Sequence, residues 1–116
     1  MKKVGRKSLT VPRLEPRELE SFRSFVRGKS TQLSDARKDA RQQLQLLTEL
    51  DGELSAKQAI LIYLRLFVST PVTTQELEIV SGISEYARRI RELVSEGHTI
   101  LTANAGGEIT YTLQGE

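Results

Sequence analysis

Three arginines stand close together at positions 88, 89 and 91, and their side chains are well suited to bind a second molecule. The guanidinium group donates paired hydrogen bonds, which fit a phosphate or the O6 and N7 acceptors of guanine in the DNA major groove. If this segment is a helix, Arg88 points away from its apolar side, and Arg89 and Arg91 lie at the two flanks. The spacing therefore predicts base contact by Arg88 and phosphate contact by Arg89 and Arg91.

Three further candidate contacts come directly before these arginines, namely Ser84, Glu85 and Tyr86. A serine at a helix start can hold a phosphate together with free backbone amides, and a glutamate can accept a hydrogen bond from cytosine N4. The tyrosine can touch a phosphate, although its position favours packing against the core. A second interpretation stays open, because Glu85 with Arg88 or Arg89, and Arg88 with Glu92, have the spacing of surface ion pairs.

The start of the chain is strongly basic. Residues 1–29 hold nine lysines or arginines against three glutamates, whereas residues 51–116 hold five basic residues against nine acids. Lysine and arginine displace condensed counterions from a nucleic-acid backbone, so this arm predicts phosphate binding. The residues assigned to that role are Lys2, Lys3, Arg6 and Lys7. The alternative is a solvated tail that binds nothing.

Residues for catalysis or metal binding are scarce. The chain has no cysteine and one histidine, His98, which excludes thiolate sites and disfavours a zinc site. We find no nucleophile motif and no glycine loop that cradles phosphate. We therefore expect a protein that is not an enzyme and that uses no metal and no cofactor.

No segment of the sequence predicts a membrane span. The longest apolar stretch, Ala59–Val68, is interrupted by Arg65 and is far shorter than the roughly 20 residues that cross a bilayer. The basic start, Met1-Lys2-Lys3, is not followed by the apolar run of a signal peptide. We therefore expect a cytoplasmic protein.

The first half of the chain predicts an arm and then helices. Residues 1–14 show no apolar period and are expected to be a flexible basic arm. One or two N-terminal helices are expected in residues 15–53, from Pro16 to about Gly28 and from Ser34 or Asp35 to about Leu50.

Residues 54–116 predict three helices and then a β-hairpin. The predicted first and last residues of the helices are Ser55 and Thr70-Pro71, Thr74 and Gly82, and Ser84 and Gly97. A short strand is expected at Val72-Thr73. The hairpin strands are expected at His98–Thr102 and Glu108–Leu113, joined by residues 104–107, which tolerate positive φ.

This order is typical of a winged helix-turn-helix, in which the third helix enters the major groove and the hairpin lies against the neighbouring backbone. The predicted fold class is therefore mainly α with a small β-hairpin. In this interpretation, residues 54–116 form the winged helix-turn-helix, which is preceded by the N-terminal helices and the flexible basic arm.

Residues 76–77 (EL), 80–93 (VSGISEYARRIREL) and 96–97 (EG) carry a family resemblance. This segment resembles the winged-helix module that accompanies some HNH-type and restriction-type nucleases. The resemblance implies a part in bacterial or phage DNA metabolism. It carries over no catalytic residue, because no nuclease domain is visible in the chain.

Two functions remain open at this point. The first is a module that binds double-stranded DNA, with the third helix in the groove and the basic arm on phosphates. The second is a protein-interaction adaptor, with a nuclease or a phage-assembly protein as partner, that self-associates through its N-terminal helices. The second function is favoured by the acidic C-terminal half and by three leucines that exceed the needs of a small winged unit: Leu44, Leu47 and Leu50.

Overall fold

A computed structural model describes residues 14–29, 34–48, 54–82 and 85–115 of the chain. The elements in chain order are α1 (Pro16–Arg27), α2 (Ser34–Thr48), α3 (Ala56–Leu66), β1 (Val72–Thr73), α4 (Thr74–Ser81), α5 (Tyr86–Ser95), β2 (Ile100–Ala105) and β3 (Glu108–Leu113). The protein is therefore mainly helical with a small three-stranded antiparallel sheet and a hairpin, as the sequence predicted.

Helix α3 forms the centre of the core. Its cap is the predicted Ser55, whose hydroxyl accepts a hydrogen bond from the Gln58 backbone N–H at 3.1 Å, while the Gln58 side chain accepts from the Ser55 N–H at 2.9 Å. Seven of its eleven residues are buried, and α3 packs against α2, α4, α5 and β3. The helix ends at Leu66, four residues before the predicted Thr70-Pro71.

The two N-terminal helices share this core. Phe22 and Val26 of α1 and Ala40 and Leu44 of α2 are buried in the same cluster as α3. The prediction that Leu44 lies on a surface for self-association is wrong, because the side chain is fully buried by the chain's own α-helices. The side chains of Leu47 and Leu50 lie outside the described residues.

Helix α4 begins one residue earlier than predicted. Thr73, not Thr74, is the cap, because it has the extended backbone of a strand residue and its hydroxyl accepts a hydrogen bond from the Glu76 N–H at 3.3 Å. The other end agrees with the prediction: Gly82 closes α4 with a φ of 75°, in the left-handed region that favours glycine.

Helix α5 begins at Tyr86, whereas the predicted cap, Ser84, would make it begin one residue earlier, at Glu85. Glu85 holds the cap position with a non-helical backbone and no capping hydrogen bond from its side chain. The predicted cap, Ser84, lies outside the described residues. The turn between α4 and α5 is therefore described on its α4 side, at Gly82.

The sheet order is β1-β3-β2, and both pairings are antiparallel. The first hairpin strand is Ile100–Ala105 rather than the predicted His98–Thr102. The reason lies in the turn, where Gly106 and Gly107 have φ values of 63° and 89° and reverse the chain by themselves. Asn104 and Ala105 are thereby left free to pair with Ile109 and Glu108 in the ladder.

No helix in the described part of the chain is long and apolar enough to cross a membrane.

Candidate nucleic-acid interface

One apolar face holds α5 on the body of the protein. The helix packs on α3 and α4, with Ile90 and Leu93 buried. Tyr86 is half-buried, and its ring meets the ring of Tyr111 on β3 in an edge-to-face contact with 6.4 Å between centroids. These contacts fix which face of α5 remains exposed to a partner.

One half of the exposed face carries arginines without internal partners. We call it the open half, and its members are Ala87, Arg88, Arg91, Val94 and Ser95. All five are exposed. Within the described residues, neither the Arg88 nor the Arg91 side chain forms a hydrogen bond or an ion pair. Both guanidinium groups are therefore available to a ligand.

The open half adjoins the hairpin. Burial and then the neighbouring Tyr86 raise the pKa of Tyr111 on β3, and the positive charge of Arg91 opposes that rise. An electrostatic effect of this kind requires Arg91 to lie close to the Tyr111 hydroxyl. Together with the contact between the Tyr86 and Tyr111 rings, this places the α5 side of Arg91 near β3 of the hairpin.

The other half of the exposed face is different, and we call it the acidic half: Glu85, Arg89 and Glu92. Arg89 Nη1 donates to both carboxylate oxygens of Glu92, at 2.9 and 3.1 Å. A cavity of about 360 Å³ separates this half from Ser55, Ala56 and Lys57 at the start of α3. Because it is paired with Glu92, the Arg89 side chain is only 26% exposed.

This pairing differs from the surface ion pairs that the sequence suggested. Among the described residues, Glu85 pairs with neither arginine, and Arg88 does not pair with Glu92. The observed pair joins Arg89 to Glu92, three residues apart on the helix. The predicted phosphate contact by Arg89 would require this pair to open, whereas Arg88 and Arg91 need no rearrangement.

The hairpin brings little charge to the interface. Strand β2 has no charged residue, and β3 has one, Glu108, next to the turn. Thr102, Ala103 and Asn104 are exposed, and the Gly107 N–H donates to the Asn104 side-chain oxygen at 3.0 Å. The hairpin therefore offers hydroxyl, amide and backbone groups to a polyanion in place of cations, and its one carboxylate, Glu108, opposes close approach at the turn.

A second cluster of charged side chains lies inside the protein, around Glu76. The carboxylate is fully buried at the first turn of α4. It accepts hydrogen bonds from Arg23 Nε at 2.7 Å, from the Tyr63 hydroxyl at 2.6 Å and from the Thr73 N–H at 2.9 Å. Arg27 Nε lies 3.6 Å from its second oxygen. The cluster fastens α1 to α3 and α4.

The ionisation of this cluster follows from its contacts. Burial alone would raise the pKa of Glu76, but hydrogen bonds from Arg23, Tyr63 and the Thr73 backbone outweigh burial and hold that pKa below its usual value. Burial and the adjacent carboxylate raise the pKa of Tyr63. The cluster is therefore an ionised carboxylate whose donors are neutral or cationic, and the carboxylate itself is closed to solvent.

The Glu76 cluster was not predicted from the sequence, which assigned Glu76 no contact. One local signal was present: a threonine followed three residues later by a glutamate is a capping box. The long-range partners gave no signal, because Arg23 is 53 residues away in sequence.

Several predicted contacts lie outside the described residues: Lys2, Lys3, Arg6, Lys7 and Ser84. They remain predictions. In the part of the chain that the structure describes, no group of three histidine, cysteine or acidic side chains is arranged to hold a metal ion.

Comparison with protein families finds a match for residues 57–113. This segment, which is just under half of the chain, matches the family model of the KpnI N-terminal domain, a restriction endonuclease-related domain. It runs from the start of α3 to the end of β3 and includes the whole of α5. The comparisons with curated proteins and with solved structures found no significant match. The helices and hairpin of residues 57–113 are therefore similar to a nuclease-associated module.

Proposed function

We propose that residues 54–113 form a winged helix-turn-helix that binds double-stranded DNA, with α5 in the major groove and the hairpin against the adjacent backbone. The observation that carries the proposal is the open half of α5, where the Arg88 and Arg91 side chains are exposed and have no partner among the described residues, near a hairpin with one charged residue. The proposal is supported by the order of the elements, in which helices α3 to α5 precede a hairpin and a left-handed glycine lies between α4 and α5.

The similarity to the KpnI N-terminal domain supports a role in a nuclease system. In this proposal the chain supplies DNA binding without catalysis, and a nuclease partner supplies any cleavage. A bacterial or phage origin agrees with that role. Family likeness alone does not assign an activity, so the argument rests on the exposed arginines.

Binding to labelled random-sequence duplex DNA, followed by fluorescence anisotropy at several salt concentrations, tests the proposal. Each phosphate contact contributes about 0.9 to the slope of log affinity against log salt. We expect saturable binding that weakens steeply as salt rises. A flat titration at low salt would refute DNA binding.

The basic arm is proposed to add phosphate contacts through Lys2, Lys3, Arg6 and Lys7. Replacement of these four residues by glutamine in the full chain should reduce the salt slope by about 3 to 4 and weaken binding to every duplex alike. An unchanged slope would show that the arm does not touch the backbone. A matched control replaces Lys38, which is exposed on α2, by glutamine and should leave the slope unchanged.

One observation favours the second function, an interaction adaptor that self-associates. Leu46 on α2 is 65% exposed, although Leu44 on the same helix is buried. Sedimentation equilibrium at increasing concentration separates the two functions. A rise in mass that Leu46→Gln abolishes would support association through α2, and a constant monomer mass would contradict it.

A further inference from the structure

We propose that Arg88 and Arg91 each bind a guanine, so that the module selects duplex DNA in which two guanines lie one or two base-pair steps apart. This inference rests on the proposed DNA-binding function. The sequence predicted phosphate contact by Arg91, whereas this inference assigns Arg91 to contact with a base. It assigns no base contact to Arg89.

The first step is the spacing of the two arginines. They are three residues apart on α5, so their Cα atoms are separated by about 4.5 Å along the helix axis and about 60° around it. Successive base pairs of B-form DNA are about 3.4 Å apart. A helix that follows the groove therefore directs the two side chains to neighbouring bases, or to bases with one pair between them.

The second step is the composition of the open half. Its remaining members are Ala87, Val94 and Ser95, which are small and uncharged, so no carboxylate on this half repels phosphates. Their short side chains also let the helix backbone come close to the groove floor. The carboxylates of Glu85 and Glu92 belong to the acidic half, where Glu92 holds Arg89 at 2.9 Å.

The third step is the chemistry of the donor. Arginine presents a rigid planar fork, whose paired donors match the N7 and O6 acceptors of guanine. Neither Arg88 nor Arg91 has to leave a partner among the described residues before binding. Two such forks side by side specify two guanines, whereas phosphate contacts carry no base information.

The experiment begins with the full chain and a random duplex library, from which the tightest-binding sequences are selected. Guanines in a selected duplex are then replaced one at a time by deazaguanine, in which a carbon takes the place of N7. The control replaces the same guanine by inosine, which keeps the major-groove acceptors and loses the minor-groove amino group. Base pairing is retained in both cases.

We expect deazaguanine at two nearby positions to weaken binding about tenfold each, because it removes the N7 acceptor of the paired contact. Inosine should have a much smaller effect. Arg88→Ala should remove the sensitivity at one guanine, and Arg91→Ala should remove it at the other. Arg89→Ala should leave both sensitivities in place.

The outcomes separate the two proposals. The inference would be overturned if deazaguanine did not change binding, or if the selected sequences lacked two guanines one or two base-pair steps apart. Either result would leave DNA binding intact. An effect that follows Arg89 in place of Arg91 would overturn the assignment of Arg91. Failure to bind any duplex would overturn the proposed function itself. Circular dichroism of each variant verifies that it is folded, which we expect because the Arg88 and Arg91 side chains have no partners in the part of the chain that the structure describes.

Discussion

The protein contains two pairs of arginines that the sequence does not distinguish but the structure uses in opposite ways. Arg23 on α1, whose side chain is only 14% exposed, binds the buried carboxylate of Glu76, and Arg27 on the same helix is 54% exposed but lies 3.6 Å from that carboxylate. Arg88 and Arg91 on α5 have no partner among the described residues. The difference shows that a count of basic residues measures the capacity to bind a polyanion only after internal pairs are removed.

Internal ion pairs neutralise part of the positive charge of the basic N-terminal region. Arg23 and Arg27 contribute to its positive charge in the sequence, but Glu76 neutralises part of it inside the fold. Lys29 also pairs with Asp39 of α2 at 3.5 Å. These residues therefore attach α1 to the rest of the protein, and the open half of α5 is the surface that we propose binds DNA.

The largest expected effect is on stability and comes from Glu76. The substitution Glu76→Gln removes the charge that compensates Arg23, and breaking a buried pair in this way costs about 3 to 5 kcal/mol. Urea unfolding of the variant and the wild type measures the loss. The matched control is Glu108→Gln, on an exposed strand residue, which should change stability by less than about 0.5 kcal/mol. Equal effects of the two substitutions would contradict a structural role for the cluster.

In the wild-type protein, low pH should reduce the contribution of the Glu76 cluster to stability. The pKa of Glu76 is lowered in the folded state, so its contribution to stability is complete above the unfolded value of about 4.3 and is lost as pH falls through the folded value. The stability difference between wild type and Glu76→Gln should therefore be constant near neutral pH and shrink below about pH 4. Urea midpoints measured across this range test the prediction. A difference that persists in acid would contradict it.

The exposed arginines should show the reverse pattern. Arg88→Ala should leave the urea midpoint unchanged, because the side chain makes no hydrogen bond or ion pair among the described residues, yet it should weaken binding to a preferred duplex about tenfold. Arg23→Ala is the matched variant and should lower stability with little change in the affinity of the folded protein. If Arg23→Ala weakened binding as much as Arg88→Ala, the division between the two pairs would be wrong.

The smallest effect is expected on the acidic half of α5. Arg89→Gln removes a partly exposed ion pair with Glu92, and pairs of this type contribute about 0.2 to 1 kcal/mol to stability. DNA affinity should change less than twofold. Anisotropy titrations compare the DNA affinities of Arg89→Gln and Arg91→Gln. A larger loss of affinity for Arg89→Gln would show that DNA opens the ion pair between Arg89 and Glu92.

Local chemistry explains which parts of the fold were predictable from the sequence. Ser55 and Gly82 were assigned correctly because a cap and a left-handed turn depend on a few neighbouring residues. The caps at Thr74 and Ser84 and the end of α3 at Thr70-Pro71 were wrong by one to four residues, because the sequence has several adjacent residues suited to each role.

The remaining features depend on contacts between distant segments. Leu44 is buried because α2 packs on α4, and nothing in the α2 sequence indicates that partner. Glu76 is buried because α1 brings Arg23 to it. On α5, helical geometry identified the exposed position of Arg88, but the choice of Arg89 as the partner of Glu92 depends on the orientation of the side chains.

The central claim is that DNA contacts the open half of α5, and chemical-shift mapping tests it most directly. A protein of 13.0 kDa gives a well-resolved amide spectrum that can be followed during titration with a duplex. We predict that the largest shifts occur at Arg88, Arg91 and the strand β2, while the amides around Glu76 and Arg23 stay in place. Shifts centred on α1 and the Glu76 cluster, or no shifts at all, would contradict the account.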